Sequence, residues 1–178
     1  MDTLDCIKER RSIRKFKNQA VSPETLEQLV SAASYSPSWK NSQIARYTMV
    51  KTAQIKNKIA DEMVSPFNKE TINSAPILVV ISYVKNRCGF EKDGSFSTSK
   101  GAAWQMFDCG IAAQTFCLAA KDMGLGTVIM GLFDENKISE YLNIPDNQEI
   151  GCLIALGYPD ENPEMPKRKS VNELISYK

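Results

Sequence analysis

The sequence predicts an α+β domain in which helices flank one central mixed, mostly antiparallel sheet. Helical spacings and apolar β-branched runs follow one another irregularly, without the strict strand-helix alternation of a doubly wound fold. One long segment, residues 101–123, is apolar around most of its circumference, as is typical of a buried helix. The chain has 178 residues, 43% of them hydrophobic, so residues 1–178 suffice for a single domain with its own core.

Two helices are predicted near the amino terminus. Leu4 and Ile7 lie at helical spacing and indicate a short helix that leads into a cationic stretch over residues 10–17. Ser22 and Pro23 then form a helix cap with a first-turn proline. Apolar residues recur behind this cap at positions i, i+3, i+4 and i+7: Leu26, Leu29, Val30 and Ala33. This second helix should end before the next proline.

The middle of the chain predicts two strands around a further helix. Residues 46–51 favour a strand. A helix ending near Pro66 follows, marked by apolar residues at helical spacing: Ile55, Ile59 and Met63. The run ILVVIS that starts at Ile77 is apolar without alternation, so we expect a strand at the centre of the sheet, covered on both faces.

The second half alternates loops, strands and helices. Residues 85–100 are polar and rich in Gly and Ser, which predicts a mobile flap near a site or, alternatively, disorder. After the long apolar helix we expect a strand at 127–130, a helix capped by Asp134 and a strand at 150–156. The proline-rich, then basic, then apolar tail over residues 158–178 is expected to wrap across a neighbour.

Composition excludes several classes of function. The 22 Lys and Arg residues balance 21 Asp and Glu residues, which argues against a surface built to attract nucleic acid. The chain has no histidine, so histidine bases and histidine metal ligands are excluded. Five cysteines without a C-x-x-C pair suggest reduced thiols in a cytoplasmic protein, and no metal site. The longest apolar run has eight residues and no secretory signal is present, so we expect neither membrane insertion nor export.

Two basic segments are candidates for an anion site. In an extended RRSIR segment, Arg10, Ser12 and Arg14 would share one face, opposite Arg11 and Ile13. Guanidinium groups match phosphate oxygens in pairs, so this face suits a phosphate, although a solvated face or a nucleic-acid contact is the alternative. The second segment is Lys167, Arg168 and Lys169; if the fold brings the two together, a bound anion would relieve their repulsion, whereas a solvated tail is the alternative.

Two further segments could contact a ligand. The loop PSWKNSQ over residues 37–43 concentrates amides and hydroxyls, which suit the edge of a polar heterocycle or simply satisfy local backbone groups. The run GLGTVIMG over residues 124–131 is a glycine-punctuated strand, where Gly131 would let a ligand approach the backbone. It matches neither the dinucleotide fingerprint nor the P-loop.

Taken together, these segments resemble the flavin-dependent nitroreductase family over nearly the whole chain. The resemblance rests on an ordered set of motifs: RRSIRKF, PSWKNSQ, WQMFDCGIAAQTFCLAA leading into GLGT, IMGLFD, and GYP followed by KRKS. It implies an α+β homodimer with one FMN at each of two sites in the subunit interface.

The resemblance also implies residue roles. Phosphate and ribityl contacts are expected from the first basic segment with two tail residues: Arg10, Arg11, Ser12, Arg14, Lys167 and Arg168. The loop contacts expected to reach the flavin of the partner subunit are Ser38, Asn41 and Gln43, and the contacts to the flavin rings are Ile129, Met130 and Gly131, with Asn68 at the pyrimidine edge. Ile44 departs from the proline that many members have. The chain is short for the family, which argues against an extended helical insertion over the substrate, and residues 85–100 could take that role.

The implied function is an FMN-dependent oxidoreductase that takes hydride from NADH or NADPH and passes electrons to a nitroaromatic, a quinone or a similar small conjugated acceptor in a ping-pong order. No protein acid or base is expected to be catalytic, because the flavin supplies the redox chemistry. The alternatives are a relative that carries out reductive dehalogenation, ene reduction or flavin exchange and, from a different class, a non-enzymatic module that binds anions or nucleic acid through its two basic segments.

Overall fold

The computed structural model describes all 178 residues and has an α+β architecture. Its four strands are β1 (Ala45–Val50), β2 (Ile77–Val84), β3 (Gly126–Met130) and β4 (Gln148–Gly157). Its seven helices are α1 (Thr3–Glu9), α2 (Pro23–Ser34), α3 (Ala53–Glu62), α4 (Pro66–Ser74), α5 (Ala103–Asp122), α6 (Glu135–Leu142) and α7 (Val171–Leu174), and a 3₁₀ turn spans Trp39–Asn41.

The strands form one sheet in the order β1-β2-β4-β3, and all three pairings are antiparallel. The parallel component of the sheet is a single bridge between Ser12 and Thr127 at the outer edge of β3. The strand predicted to be central, β2, does lie between two others. β1 and β3 therefore form the two opposite edges of the sheet.

The core lies on both faces of the sheet. Val79 and Ile81 of β2 pack with residues of α2 and α5, whereas Leu78 and Val80 pack with residues of α3, α4 and α6. All four of these side chains are fully buried. This explains why the strand sequence is apolar without alternation.

The predicted helix signals near the amino terminus are confirmed. The Ser22 hydroxyl accepts a hydrogen bond from the Thr25 amide at the start of α2. By contrast, α4 was not predicted, because its nine residues contain only two large apolar side chains, Phe67 and Ile72. Its buried face consists of Asn68, Thr71 and Ile72, so apolar periodicity carries no signal there.

The long helix α5 departs from the expectation of full burial. One side packs into the core through Cys109, Phe116 and Cys117. The other side leaves Met106 49% exposed and Phe107 58% exposed. A single chain thus covers only part of the apolar circumference of this helix. No helix of the chain combines the length and the hydropathy that a membrane span requires.

Residues 85–100 form a turn structure with a defined conformation, in contrast to the alternative prediction of disorder. Phe90 and Phe96 form an antiparallel bridge with their rings 5.0 Å apart. The indole of Trp104 donates a hydrogen bond to the Thr98 hydroxyl, and Cys88 is fully buried. The predicted polar character is correct, and the local pairing, the buried Cys88 and the partly buried Thr98–Trp104 bond give the segment a defined conformation.

Candidate functional site

The first basic segment is attached to the free edge of β3. The amide of Arg10 closes α1 by donating to the Cys6 carbonyl, and the chain then continues in extended form. The Ile13 amide donates to the Thr127 carbonyl at 2.9 Å, and the Ile13 side chain enters the core. This places the intervening side chains of the RRSIR motif along the edge of the sheet.

The carboxyl-terminal segment pairs with the same stretch from the other side. The Lys17 amide donates to the Tyr158 carbonyl, and the Asp160 amide donates to the Lys15 carbonyl, each at 2.9 Å. The Glu161 carboxylate accepts hydrogen bonds from the backbone amides of Arg14 and Lys15. These bonds bring the two ends of the chain together.

A cationic cavity of about 390 Å³ forms where the two ends meet. Four arginines and a hydroxyl line it, together with three further residues of the tail: Arg10, Arg11, Ser12, Arg14, Arg168, Pro163, Glu164 and Pro166. None of the four arginines takes part in an ion pair of the chain. Four guanidinium groups therefore share one concave site with a single carboxylate, and the site suits an anion.

The arginine side chains differ in their protein contacts. Arg11 donates to the carbonyl oxygens of Lys8 at 2.5 Å and Arg10 at 2.9 Å, which holds its guanidinium beside the end of α1. Arg14 makes only a long contact of 3.4 Å to the Ser12 carbonyl. Arg11 lines the cavity together with the other arginines because the chain turns out of α1 there, so the strict alternation expected for an extended strand does not hold at this residue.

A second groove, of about 190 Å³, adjoins the cationic cavity. Arg14 lines both spaces. The groove runs between α4 and the end of β3, and its other lining residues are Phe67, Asn68, Thr71, Val128, Ile129, Met130, Gly131 and Leu132. The predicted ring-contact residues and Asn68 therefore lie together, beside the predicted phosphate-contact residues.

The groove exposes backbone groups as well as side chains. Because β3 is an edge strand, its outer side has no strand partner beyond the bridge at Thr127. Backbone groups alternate between the two sides of a strand, so those of Ile129 face the same side as the Thr127 carbonyl, and Gly131 follows directly after the strand. A Cβ added to Gly131 would meet no atom within 4 Å. This edge can offer N–H donors to a ligand at close range.

The two spaces fit FMN as the implied cofactor. The cationic cavity suits a phosphate at one end of an elongated molecule, and the groove suits a planar heterocycle at the other. The groove walls are largely apolar, with the buried carboxamide of Asn68 as a polar side chain among them. A cation at the junction, Arg14, lies where both parts of such a molecule would meet.

The loop over residues 38–43 lies at the opposite edge of the sheet, before β1. Ser38 and Gln43 line a different cavity, of about 340 Å³, between α2, β1 and α5. The Gln43 side-chain amide donates to the side-chain oxygen Oδ1 of Asn41, and the Gln43 backbone amide donates to the Ser38 hydroxyl. One chain alone therefore does not bring this loop to the cationic cavity.

The backbone of this loop is strained, and side chains of α5 stabilise its conformation. Lys40, Asn41 and Gln43 have φ values of 46°, 52° and 47°, a region that non-glycine residues seldom adopt. The buried Asp108 carboxylate accepts hydrogen bonds from the Trp39 amide at 2.8 Å and from the Cys88 thiol at 3.0 Å. The rings of Trp39 and Trp104 pack 4.8 Å apart. Helix α5 therefore fixes the loop through one carboxylate and one aromatic contact.

Two predicted site residues lie outside these spaces, and several lining residues were not predicted. Lys167 and Asn41 line none of the three cavities, and Ser38 and Gln43 line only the cavity between α2, β1 and α5. The lining residues missed from sequence are Phe67, Thr71, Val128, Leu132, Pro163, Glu164 and Pro166. Asp108 was missed as well, although a carboxylate in the interior of a largely apolar helix is a signal that it must have a buried partner.

The cysteines do not supply a nucleophile. All five are buried and unpaired. Burial raises the pKa of Cys88 and Cys152 to about 12 and that of Cys109 to about 11. Thiols with such pKa values are protonated at neutral pH and poorly nucleophilic. The chain also has no group of three or more Cys, Asp or Glu side chains arranged to hold a metal ion.

Comparison with known proteins adds relatives that match nearly the whole chain. An oxygen-insensitive NADPH nitroreductase of Helicobacter acinonychis is 31% identical, over 96% of this chain and 94% of its own. An NADPH-flavin oxidoreductase of Vibrio harveyi is 29% identical, over 98% of this chain and 72% of its own. The crystal structure of a nitroreductase family protein from Clostridium novyi NT superposes with a TM-score of 0.79 at 31% identity, covering 93% of this chain and 89% of that one.

The family model gives the same result. The Nitroreductase family model matches residues 7–70 and 63–158. This match includes the first basic segment, the loop over residues 38–43, α4 and the edge strand β3. The matched residues therefore include most of the residues that line the two joined spaces. The chain belongs to the nitroreductase family.

Proposed function

We propose that this protein is an FMN-dependent NAD(P)H oxidoreductase that reduces nitroaromatic, quinone or similar conjugated acceptors. The observation that supports it most directly is the cationic cavity, where four arginines without ion-pair partners adjoin a groove along the edge of β3. The names of the Helicobacter acinonychis and Vibrio harveyi relatives agree with this activity.

In this proposal the chain binds and orients the cofactor. Arg10, Arg14 and Arg168 bind the phosphate, because charge-assisted hydrogen bonds from guanidinium groups are about twice as strong as neutral ones. Beside them, the Ser12 hydroxyl donates a hydrogen bond to the phosphate. The carboxamide of Asn68 and the backbone amides near Gly131 contact the polar edge of the rings. The buried side chains of α4 and β3 exclude water from one face of the groove.

FMN, held by these residues, would supply the redox chemistry between NADH or NADPH and the acceptor. The chain contributes N–H donors and cations close to where negative charge develops on reduction. Arg14, at the junction of cavity and groove, and the backbone amide of Gly131 are the groups placed to do this. No side chain has to transfer a proton, in keeping with a sequence that has no histidine. Donor and acceptor then use one groove in turn, which gives ping-pong kinetics.

We further propose that the active form is a homodimer. The loop over residues 38–43 lies at the sheet edge opposite the cationic cavity, so it can serve only the flavin of another subunit. The exposed side chains of Met106 and Phe107 leave an apolar face on α5 for that subunit to cover. The tail also exposes apolar side chains, Val171 at 71% and Leu174 at 71%, which fits the expectation that it crosses a neighbour. A cytoplasmic location agrees with the five unpaired thiols.

The test is a spectrum followed by steady-state kinetics. The purified protein should show flavin absorbance, or acquire it with FMN, and should oxidise NADH or NADPH when nitroaromatic, quinone and enone acceptors are supplied. Parallel lines in double-reciprocal plots would support the ping-pong order. Activity confined to enones or halogenated acceptors would move the assignment to an ene reductase or a dehalogenase. A colourless protein that ignores FMN and retards an oligonucleotide in a gel would overturn the proposal.

A further inference from the structure

Helix α4 forms one wall of the groove and is attached to other parts of the site at both ends. At its amino end, the amide of the capping residue Ser65 donates a hydrogen bond to the Leu132 carbonyl at 3.0 Å, just beyond β3. At its carboxyl end, the Ser74 hydroxyl lies 3.3 Å from the Arg14 carbonyl oxygen. The position of α4 between these two attachments therefore sets the width of the groove.

A buried lysine of α3 holds the carboxyl end of α4. Lys56 is only 5% exposed, and its ammonium group donates hydrogen bonds to the carbonyl oxygens of Ile72, at 3.4 Å, and of Ala75. These carbonyls belong to the last turn of α4 and to its capping residue, where carbonyl groups have no partner within the helix. Because Ile72 and Ala75 are buried themselves, Lys56 supplies the donors that water provides at an exposed helix end.

The ammonium group of Lys56 has no carboxylate partner. Lys56 takes part in none of the ion pairs of the chain, and burial lowers its pKa. A buried cation without a counter-ion is unfavourable, so an apolar side chain would fill this space with less cost to stability. The carbonyl oxygens at the negative end of the α4 dipole offset part of that cost. The contacts of Lys56 are thus directed at the end of α4.

The turn that Lys56 holds is continuous with the groove wall. Asn68 and Thr71 of α4 line the groove, and both are buried. Ile72 lies four residues after Asn68, on the same face of the helix. A displacement of the last turn of α4 therefore also moves the Asn68 carboxamide, which we propose contacts the polar edge of the flavin rings.

We propose that Lys56 is a positioning residue for the flavin rings, which places the Asn68 carboxamide and sets the width of the groove by holding the end of α4. This inference rests on the proposed function, because it takes FMN as the molecule in the groove. Lys56 does not line the groove itself, so its effect reaches the flavin only through α4. The effect concerns the ring system, which FMN and riboflavin share, and not the phosphate.

Titration of the full-length apoprotein with FMN and with riboflavin tests this role, with quenching of flavin fluorescence as the measurement. Lys56→Met keeps an apolar stem but removes the donor. It should weaken the binding of both flavins about fivefold, the factor that one lost hydrogen bond supplies. The absorbance bands of bound FMN should shift as they do in Asn68→Ala. Because Lys56 acts through Asn68, the double variant should bind FMN no more weakly than Asn68→Ala alone.

Two control variants separate this role from charge and from general stability. Lys58→Met removes an exposed cation of the same helix, whose ammonium group lies 4.8 Å from the centre of the Tyr141 ring. Ser22→Ala lowers stability by removing the cap of α2, and Ser22 lines neither the cationic cavity nor the groove. Both controls should bind FMN with wild-type affinity and an unchanged spectrum. Lys56→Gln keeps an N–H donor on a shorter side chain; it should give a smaller loss and replaces Lys56→Met if that variant does not fold.

The outcomes separate this inference from the proposed function. A wild-type protein that does not quench FMN fluorescence would overturn the proposed cofactor and this inference with it. If the wild type binds FMN but the Lys56 variant leaves affinity and spectrum unchanged, or if its loss adds to that of Asn68→Ala, the cofactor stands and the positioning role is overturned. An equal loss in Ser22→Ala, or failure of both Lys56 variants to fold, would assign Lys56 to the stability of the whole chain and also overturn the inference.

Discussion

The amide nitrogen of Ile13 lies 2.9 Å from the carbonyl oxygen of Thr127, and this bond attaches the first basic segment to the edge of β3. Next to it, a Cβ added to Gly126 would come within 2.8 to 3.0 Å of three Ile13 atoms. Gly126 therefore permits the close approach that sets the position of the arginines.

Gly126→Ala should displace the basic segment and weaken FMN binding. We expect a loss of about 1–3 kcal/mol in stability from overpacking, with a parallel loss of FMN affinity measured by fluorescence quenching. The double variant Ile13→Ala with Gly126→Ala removes the colliding atoms and should recover part of both. Additive losses in the double variant would show that the contact does not position the segment.

Arg10→Ala and Arg14→Ala should each weaken FMN binding, since a hydrogen bond to a charged group contributes about 1.5–3 kcal/mol. Lys17→Ala removes a positive charge from the same segment but lies outside the cavity lining, so it serves as the control. Titration of apoprotein with FMN measures the effect. Unchanged affinity in both arginine variants would remove these residues from the phosphate site.

Asp108→Ala should loosen the attachment of the loop over residues 38–43 to α5. The variant leaves the Trp39 amide without its acceptor in a partly buried position, at a cost of about 1–3 kcal/mol in the free energy of unfolding. Because Trp39 packs against Trp104, its fluorescence should shift as well. Cys88→Ala removes a donor but keeps the carboxylate bond to Trp39, and should change the loop less. Equal effects of the two variants would argue against a specific role of the Asp108–Trp39 bond.

Phe107→Glu should disrupt the proposed dimer by placing a charge on the apolar face of α5. Light scattering should then report a monomer that has lost FMN, because the loop from the partner no longer reaches the site. Phe96→Glu is a matched control, since both side chains are 58% exposed but Phe96 lies on the loop over residues 85–100. A monomeric Phe107 variant that retains FMN would contradict the shared site.

Sequence patterns predicted the elements that carry apolar periodicity. The caps at Ser22 and Asp134 and the run beginning at Ile77 follow local rules, and the structure agrees with them. Helix α4 was missed because its buried face consists of small and polar residues around Ile72. The long helix α5 was expected to be buried because its sequence is apolar around most of the helix circumference, yet one chain covers only one side of it.

The candidate site was predictable in its chemistry but not in its assembly. Arginines in RRSIR indicate an anion, yet only the pairing of Lys15 with Asp160 shows that the tail comes to the same place. Local patterns also could not separate Arg168, which lines the cavity, from its neighbour Lys167, which does not. These outcomes depend on contacts between residues about 150 positions apart in the sequence, which no spacing rule encodes.

The most direct test of whether arginines from both ends of the chain bind one phosphate is the affinity of the apoprotein for FMN relative to riboflavin. This ratio is measured in the wild type and in the double variant Arg10→Ala with Arg168→Ala. FMN should bind at least about a hundredfold more tightly than riboflavin in the wild type, as two charged contacts would give, and the double variant should lose most of that preference while its riboflavin affinity stays unchanged. Equal affinities for the two flavins in the wild type would contradict the account.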